Sequence, residues 1–488
     1  MRSTLALALL AACSAAFSVP TSLYSTVATS SSSLVPGSSI RRYTAIQRPA
    51  SNPNGTYLGF NALTSDGTSA QAYTFGTYGS PSSFTFPLMV GGPWPLNTSL
   101  NASGSNRGAM GVNDSGVFAI TGGQNAGGAA TDEHVLTYNG STFSIIIQEG
   151  QIEPNLGGAY ATAITAPHIL ADGTVCFQTG GTTTVNIGAL MKGTTVLAKR
   201  TETIPAGQLT VTPQTIQRFT NDGFRMGGVD MSYIYQCWLG TDTTTRNSVV
   251  VDGTVVAQQG FSLPGSDVTT AVDVLPTSNA VSMSSMSTRN RHYAFRGTFV
   301  GGQDFAVFGT VGGSKSFVYE GDAIANDSEI WTVIDGTGVN SYNERIITGS
   351  TDNPDAGLAS AVVFNNGYFN QVVLRRGDGV DLNGNGLADD GYNFYRVNND
   401  NWTFCDNNRL FMACELRATG ATASVGSMLV IDLPITGDVD GSGEVDAADI
   451  DFVIAQFGSA NPAADVDGSG EVDAADIDIV IANFGRTR

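Results

Sequence analysis

Oxygen-bearing side chains recur at alternate positions near the end of the chain. Within one twelve-residue segment they fill positions 1, 3, 5, 7, 9 and 12, as Asp438, Asp440, Ser442, Glu444, Asp446 and Asp449. The same positions are filled 27 residues later by Asp465, Asp467, Ser469, Glu471, Asp473 and Asp476. Calcium takes about six to eight oxygens, and this spacing supplies them, with a backbone carbonyl at position 7 and direct or water-mediated contact at position 9. The pattern predicts two Ca²⁺ sites.

Each predicted calcium loop is followed by one helix instead of lying between two. Apolar residues spaced three and four apart predict amphipathic helices over residues 450–457 and 477–484, and a glycine that can end a helix follows each. Pro434 precedes the first loop and Pro462 interrupts the segment before the second. Because proline disrupts a helix interior, no helix is expected to lead into either loop.

Two matched loops, each followed by a single helix, resemble the type I dockerin family. The resemblance covers residues 437–485 and implies attachment to a cohesin-like protein or another surface protein. Asp at position 12 is usual in dockerins, whereas Ser at position 5 replaces the commoner Asn or Asp. Ala447–Ala448 and Ala474–Ala475 stand where many dockerins present Ser-Thr to their partner. The partner surface is therefore expected to be small and apolar.

A third loop lies within the long region that precedes the module. Its positions 1, 3, 5, 7 and 9 are Asp381, Asn383, Asn385, Leu387 and Asp389. Gly386 at position 6 permits the sharp turn that a calcium loop needs. Position 12 is Tyr392, so the closing acid is absent. Two interpretations stay open: a third calcium site, and an ordinary Asn/Gly turn.

Residues 41–433 alternate short β-rich runs with Gly, Asn and Asp turns. Opening turns recur at intervals of roughly 50 to 70 residues, the spacing of propeller blades, near Asn54, Asn113, Asp172, Asn221, Asn290, Asn343 and Asn407. One such unit cannot bury both faces, whereas radial stacking covers them and leaves only short edges. The prediction is a mainly β fold, a seven-bladed β-propeller, with a small α-helical module at its C-terminus. β-Sandwiches are the alternative.

The N-terminus has the pattern of a secretion signal, with one positive charge before a short apolar run. We expect a signal peptide over 1–18, a Ser/Thr-rich linker over 19–40, the β-repeat domain over 41–433 and the dockerin-like module over 434–488. Leu10–Cys13 also resembles a bacterial lipobox, in which Cys13 carries a lipid. Both interpretations place the protein outside the cytoplasm, secreted or at the cell surface.

Charge and cysteine content exclude several classes of function. Acidic residues number 43 against 23 basic ones, a net charge of −20, which argues against binding the phosphates of nucleic acid. No other apolar run reaches membrane-spanning length, so no transmembrane segment is expected. The remaining cysteines fit no zinc motif, and disulfides and buried free thiols stay open for them: Cys176, Cys237, Cys405 and Cys414.

The long region carries no recognisable catalytic motif. Its histidines, which are His134, His168 and His292, lie in no metal or nucleophile pattern. A glycosidase pair is defined by the separation of two carboxylates in space, and the candidates are Glu133, Glu149, Asp230, Glu320, Asp322, Glu344 and Asp378. Aromatic side chains that can form a carbohydrate-binding shelf are Trp94, Trp238, Trp331 and Trp402.

Three hypotheses follow from these patterns. The favoured one is an extracellular calcium-binding protein without enzymatic activity, in which the C-terminal module attaches a propeller that binds polysaccharide or a protein partner. The second is a carbohydrate-active hydrolase of O-glycosyl bonds, involved in polysaccharide degradation. The third is a structural protein of the cell envelope.

Overall fold

The fold is described by a computed structural model that covers most of the chain. The described residues are 19–27, 34–36, 41–65, 71–89, 93–94, 98–99, 110–123, 133–160, 164–182, 186–204, 213–220, 223–275, 284–325 and 329–488. The predicted signal peptide, with Cys13, lies outside these residues, as does Asn221.

Short, mostly antiparallel strands, numbered in chain order, form the first three blades. β1 is Thr21–Ser25. Blade 1 contains β2–β5, which are Tyr43–Ser51, Tyr57–Thr64, Gln71–Thr77 and Thr85–Met89, and a hairpin of β6 (Pro93–Trp94) and β7 (Thr98–Ser99) follows it. Blade 2 contains β8–β11, which are Met110–Val112, Phe118–Gly123, Glu133–Tyr138 and Phe143–Gln148. Blade 3 contains β12–β17, which are Ile152–Glu153, Gly158–Tyr160, Ile164–Ile169, Val175–Thr182, Asn186–Lys192 and Thr195–Lys199.

The remaining four blades complete the ring. Blade 4 contains β18–β23, which are Thr203–Ile204, Gln214–Phe219, Arg225–Met226, Tyr233–Leu239, Asn247–Val251 and Thr254–Gln258. Blade 5 contains β24–β28, which are Val272–Val274, Ser284–Met286, His292–Phe299, Asp304–Thr310 and Lys315–Tyr319. Blade 6 contains β29–β32, which are Trp331–Val339, Arg345–Thr351, Ser360–Asn365 and Asn370–Arg375. Blade 7 contains β33–β35, which are Tyr392–Phe404, Arg409–Ala418 and Ser424–Asp432, together with β1. The predicted seven-bladed propeller is confirmed.

The N-terminal strand closes the ring. β1 pairs antiparallel with β35, so that residues from both ends of the propeller share blade 7. The Tyr24 ring lies 5.4 Å from the Tyr43 ring and 5.1 Å from the Phe60 ring, which belong to blade 1. The prediction of a linker over 19–40 is therefore wrong for Thr21–Ser25, because Ser and Thr also suit an edge strand and a tyrosine in the strand packs into the core.

The predicted opening turns join consecutive strands within the blades. Six of the seven predicted positions lie in these connections, the exception being Asn221, which falls outside the described residues. An asparagine at the end of the first strand fixes the turn: Asn52, Asn113 and Asn340 each accept backbone N–H bonds through Oδ1. Such side-chain bonds mimic a backbone turn, which explains why Asn marks the repeat.

Apolar side chains fill the space between neighbouring blades. Phe177 of blade 3 shares a buried cluster with Val135 of blade 2, and Phe295 of blade 5 shares another with Val249 of blade 4. A sheet buried on both faces needs apolar residues on both sides of each strand, which accounts for the short, continuous Val, Ile and Phe runs. This packing holds the innermost strands around a central channel.

The C-terminal module contains two helices, α1 (Ala447–Ala455) and α2 (Ala474–Ala482). Each begins three residues earlier than predicted, because Asp446 and Asp473 cap the helices from loop position 9. The module has its own small core, formed by Ile435, Val445, Val453, Ala464, Val466, Val472, Ile479 and Val480. Among the described residues, no helix has the length and apolar character needed to cross a membrane.

Candidate calcium sites and central channel

Each C-terminal loop brings three carboxylates together. Oxygens of Asp438, Asp440 and Asp449 lie within 4.8 Å of one another, and those of Asp465, Asp467 and Asp476 do the same. These are positions 1, 3 and 12 of the predicted loops. Three carboxylates at this separation repel one another, so a cation between them removes a large electrostatic cost.

The acid at position 12 also holds the loop in shape. Asp449 is fully buried and accepts hydrogen bonds from Val439 N at 2.8 Å and Asp446 N at 2.8 Å. Asp476 is equally buried and accepts from Val466 N at 2.6 Å and Asp473 N at 2.8 Å. One side chain thus joins the start of each loop to the start of its helix.

Asp438 provides the test of whether a cation fits. One of its oxygens accepts a bond from Gly443 N at 2.9 Å, while Oδ1 is buried and has no hydrogen-bond partner among the described residues. Burial, together with the negative charges of Asp449 and Asp440, raises the pKa of its carboxyl above the usual value. A buried oxygen without a donor, beside two more carboxylates, is the environment that a bound divalent cation satisfies.

The other predicted loop residues lie close by in different roles. Ser442 Oγ donates to the Glu444 carbonyl at 3.0 Å, and Ser469 Oγ donates to the Glu471 carbonyl at 3.1 Å. Asp446 accepts from Ala448 N at the helix start, as Asp473 does from Ala475 N. The structure therefore clusters the carboxylates of positions 1, 3 and 12, and places those of position 9 at the helix caps.

Half of the predicted apolar stripe on each helix faces solvent. Val453 is fully buried, as is Val480, but Ile454 is 53% exposed and Phe457 is 57% exposed. Their counterparts on α2, Ile481 and Phe484, are 54% and 57% exposed. The alanine pairs at positions 10 and 11 are exposed as well. Each helix thus presents an isoleucine, a phenylalanine and small residues on an uncovered face.

The third loop folds like the other two, with one replacement. Asp381 accepts bonds from Gly384 N at 2.7 Å and Gly386 N at 2.7 Å, as the first acid of a calcium loop does. Asp390 accepts from Leu382 N at 2.7 Å and Asn383 N at 3.2 Å. Asp449 makes the same two contacts, to loop positions 2 and 3, from position 12. Asp390 therefore occupies the place of the acid that the sequence lacks at Tyr392.

A cavity of about 240 Å³ lies in the central channel, where the innermost strands of all seven blades meet. Its lining includes Trp402, one of the predicted shelf residues, and charged or polar residues that sequence reasoning did not single out or assigned no role, among them Arg48, Asp114, His168, Arg225 and Asp406. They converge because each lies in, or in the turn after, the strand of its blade that lines the channel. Their shared position relative to the repeat is the signal that could have identified them.

One side of the channel carries His168 and two arginines. His168 Nε2 lies 3.2 Å from the carbonyl oxygen of Phe224. Burial, followed by the positive charges of Arg225 and Arg48, lowers the pKa of His168 to about 3. The imidazole is therefore neutral near neutral pH, beside two cationic side chains that remain protonated.

Two carboxylates also line the channel. Asp406 accepts bonds from Ser341 N and Ser341 Oγ, both at 2.9 Å, and burial raises its pKa above the usual value. Asp114 accepts a bond from Asn52 Nδ2 at 2.8 Å. Trp402 lines the cavity with its indole against Gly338, and its Nε1 has no hydrogen-bond partner among the described residues.

The acids and tryptophans singled out in the sequence are dispersed through the fold. Asp322 and Asp378 accept backbone bonds in the β-turns that close blades 5 and 6. Glu344 forms an ion pair with Arg486 of the module. Trp331 is buried in the core, and Arg246 stacks on the Trp238 ring at 3.6 Å, which leaves Trp402 as the candidate in the channel. The side chain of Trp94 lies outside the described residues.

The four cysteines of the propeller are free and buried. Burial raises the thiol pKa of Cys176 and Cys405 to about 12, and also raises that of Cys237 and Cys414. Thiols with such values stay protonated and unreactive. Of the two open interpretations, buried free thiols describe these residues.

The fold and the loops define a class of protein: a seven-bladed β-propeller joined to a module of two matched loops, each with three clustered carboxylates and one helix after it. Residues 436–485 match the family model of the dockerin type I domain. No curated protein matches the chain.

Solved structures with similar folds are distant. The crystal structure of polysaccharide lyase Uly1 has 8% sequence identity and a TM-score of 0.39, covering 86% of this chain and 98% of that one. A protein of unknown function from Dyadobacter fermentans has 10% identity and a TM-score of 0.34, covering 85% and 98%. The β-propeller domain of the Trilobed protease from Pyrococcus furiosus has 9% identity and a TM-score of 0.31, covering 69% and 100%. Similarity at this level says nothing about activity.

Proposed function

We propose that the protein is an extracellular attachment protein, whose C-terminal module folds around two Ca²⁺ ions and binds a cohesin-like or other surface protein. The observation that carries the metal sites is the buried, unpartnered Oδ1 of Asp438 within a cluster of three carboxylates. The proposed ligand set is Asp438, Asp440, Ser442, Glu444, Asp446 and Asp449, with Asp465, Asp467, Ser469, Glu471, Asp473 and Asp476 in the second loop. Bound calcium neutralises the clustered carboxylates and stabilises the fold of each loop.

The exposed helix residues support a protein partner. In each repeat an isoleucine near the helix end and the phenylalanine after it are more than half exposed, and such an exposed apolar pair favours a binding surface. Alanine at positions 10 and 11 makes this surface apolar, so shape and hydrophobic contact dominate its recognition. The partner is therefore proposed to present a matching apolar strip to residues 437–485.

The third loop is proposed as an additional calcium site. Its ligands are Asp381, Asn383, Asn385, the Leu387 carbonyl and Asp389, and Asp390 supplies the closing carboxylate. The shared contacts of Asp390 and Asp449 to loop positions 2 and 3 support this assignment. Measured stoichiometry decides it: three calcium ions per chain, falling to two in Asp381→Ala, support the site, and two in both chains contradict it.

The propeller is proposed to bind a polysaccharide in the central channel. A narrow cavity with an indole, two guanidinium groups and two carboxylates offers both a stacking surface and hydrogen-bonding groups for a sugar. A glycan array with the full chain tests this, using Trp402→Ala as the channel variant and Trp238→Ala as the matched control. Binding that Trp402→Ala leaves intact, or that Trp238→Ala also abolishes, contradicts a channel site.

A second candidate function is polysaccharide hydrolysis in the same channel. The raised pKa of Asp406 is what a general acid needs, and Asp114 lines the same cavity as a second carboxylate. Screening polysaccharides for release of reducing ends, with Asp406→Asn and Asp114→Asn as variants, separates the two functions. Release that either variant abolishes supports an enzyme, and glycan binding without release supports a binding protein.

Secretion is proposed from the N-terminal pattern, with either cleavage before Val19 or lipidation at Cys13. Mass spectrometry of the mature protein distinguishes them: an N-terminus at Val19 indicates a secreted protein, and a diacylglyceryl group on Cys13 indicates a cell-surface lipoprotein.

A further inference from the structure

The C-terminal module and the propeller are joined by a buried ion pair. Arg486 follows α2 and is 6% exposed, while Glu344 lies in the opening turn of blade 6 and is 1% exposed. The guanidinium makes two parallel bonds to the carboxylate, Nη2 to Oε2 at 2.8 Å and Nη1 to Oε1 at 3.0 Å. Charges so deeply buried are stable only when paired, so each residue depends on the other.

The propeller provides most of the side chains around this guanidinium. Asn340 donates to Glu344 Oε2 at 2.6 Å, and Asn408 Nδ2 donates to Glu344 Oε1 at 3.1 Å. Arg486 donates to Asn408 Oδ1 at 3.3 Å, and its guanidinium stacks on the Tyr342 ring at 3.6 Å. These propeller residues come from the opening turns of blades 6 and 7. The module adds Thr436, which donates to Glu344 Oε1, and Asn483, whose Oδ1 accepts from Arg486 at 2.9 Å.

Only one of the two near-identical repeats contains the matching cation. Val445 of the first loop donates to the Arg486 carbonyl at 2.9 Å, and Val472 of the second loop donates to the Ser459 carbonyl at 2.8 Å. Ser459 therefore takes the place of Arg486 in the other repeat. A Cβ on Gly468 of the second loop would lie 3.2 Å from the Phe369 ring, whereas the equivalent Gly441 has open space around it. One end of the symmetric module is thus specialised to contact the propeller.

The first calcium loop holds Arg486 in place. Besides the Val445 bond, Gly485 N donates to the Val445 carbonyl at 2.8 Å, and Arg488 N donates to the Gly443 carbonyl at 2.9 Å. Residues 485–488 are therefore fixed by positions 6 and 8 of the first loop. When that loop loses its shape, the backbone that carries Arg486 loses its support.

The docked module lies beside the channel rim. Asn340 and Asp406 line the cavity, and Ser341, between Asn340 and Tyr342 in the receptor turn, donates both its N–H and its hydroxyl to Asp406. The turn that contacts Arg486 is therefore linked directly to a channel carboxylate, through the hydrogen bonds from Ser341 to Asp406. The exposed apolar faces of α1 and α2 stay uncovered in this arrangement.

We propose that the opening turns of blades 6 and 7 form a docking site for the chain's own calcium-loaded C-terminal module, with Arg486 as the residue that they recognise. The module is then not a freely tethered appendage: calcium keeps it seated at the channel rim, and any protein that it binds is held in a fixed orientation to the channel. The calcium dependence rests on the proposed metal sites, whereas the docking contact does not.

Hydrogen exchange and small-angle scattering of the full chain test this proposal. In saturating calcium, Arg486→Gln is expected to keep two bound ions and protected α1 and α2 amides, to gain radius of gyration, and to lose amide protection at 340–344 and 406–408. The matched control is Arg488→Gln, which removes the same charge two residues away together with one exposed-side-chain bond to the Leu433 carbonyl, and it is expected to keep amide protection at 340–344 and 406–408. Deletion of residues 486–488 provides a second variant, which removes Arg486 together with the backbone bonds that Val445 and Gly443 make to this segment.

Each outcome has one meaning for the docking contact. Unchanged protection at 340–344 in both Arg486→Gln and the deletion overturns it, as does an equal loss in Arg488→Gln. Chelation of the wild type is expected to reproduce the Arg486→Gln pattern, and retained protection there overturns the calcium dependence. If the wild type binds no calcium but Arg486→Gln still undocks the module, the metal sites fail and the docking contact stands.

Discussion

Single aspartates in the module belong to a carboxylate cluster and also hold the backbone of their loop. Asp449 and Asp476 close the carboxylate cluster and also accept backbone bonds from the loop start and the helix start. The helix cap at position 9 belongs to the same network. Removing one carboxylate is therefore expected to disturb metal binding and helix initiation together.

The substitution Asp449→Ala tests this double role. We expect a loss of calcium affinity at the first loop of at least about tenfold, because one clustered carboxylate and its backbone contacts disappear. Isothermal titration calorimetry measures the affinity. Asp451→Ala, an exposed acid on the same helix, removes the same charge outside the cluster and is expected to change affinity by far less. Equal losses in both variants would mean that general electrostatics, not the cluster, binds the ion.

His168 makes the stability of the propeller depend on pH. Its pKa falls from an ordinary 6.5 to about 3 in the folded protein, so the unfolded chain takes up a proton at mild acidity while the folded chain does not. The free energy of unfolding is thus expected to fall by about 1 to 2 kcal/mol between about pH 7 and pH 5, with the lower figure allowing for water in the channel. Urea unfolding of wild type and His168→Gln measures it. A pH dependence as steep in the variant refutes the assignment.

Residue roles were predictable where local spacing determines them. The alternation that calcium geometry requires predicted that the carboxylates at positions 1, 3 and 12 of each loop lie together, and the structure clusters them. Asp406 and Asp114 could not be predicted in this way, because their meeting depends on the radial arrangement of seven turns. Asp390 was missed for a related reason: it reaches the closing position from a loop two residues shorter than the expected twelve.

Among the elements, the short strand β1 closes the propeller by pairing with β35. Five residues join the two ends of the propeller, and Ser22 Oγ lies 2.9 Å from Ser427 Oγ across the junction. The blade repeat was predictable from turn spacing, whereas this strand was not, because its partner β35 lies some 400 residues away and no local pattern specifies it. For the helices the situation is reversed. The local sequence pattern predicted that they form, but it did not predict which of their apolar residues face solvent, because that depends on packing within the module.

Removing the Tyr24 ring is expected to weaken closure of the propeller. The ring lies 5.4 Å from Tyr43, 5.1 Å from Phe60 and 5.6 Å from Phe84, so Tyr24→Ala removes three aromatic contacts. We expect a loss of about 2 to 4 kcal/mol in the free energy of unfolding. Thr21→Ala on the same strand is the control, with an expected change below about 0.5 kcal/mol. Equal stability of Tyr24→Ala and wild type would show that β1 does not close the ring.

At the scale of the whole molecule, stability divides into two parts with different sources. The propeller is held by six apolar clusters that continue from blade to blade, whereas the module has one small cluster of its own. Residues 434–488 carry twelve acidic and two basic residues. So small a core cannot offset a net charge of −10 without bound cations.

Chelation is therefore expected to unfold the module and leave the propeller folded. Two calcium ions reduce the net charge of the module from −10 to −6 and cross-link each loop, and their removal restores the repulsion. Hydrogen exchange followed by mass spectrometry reads the two parts separately: peptides from α1 and α2 should lose protection in chelator, while peptides from β22 and β27 should keep it. Magnesium in place of calcium is the control, because its strict octahedral geometry does not suit these loops. Protection of both helices in chelator would show that the module folds without metal. If the helices and β22 lose protection together, the propeller and the module unfold as one unit.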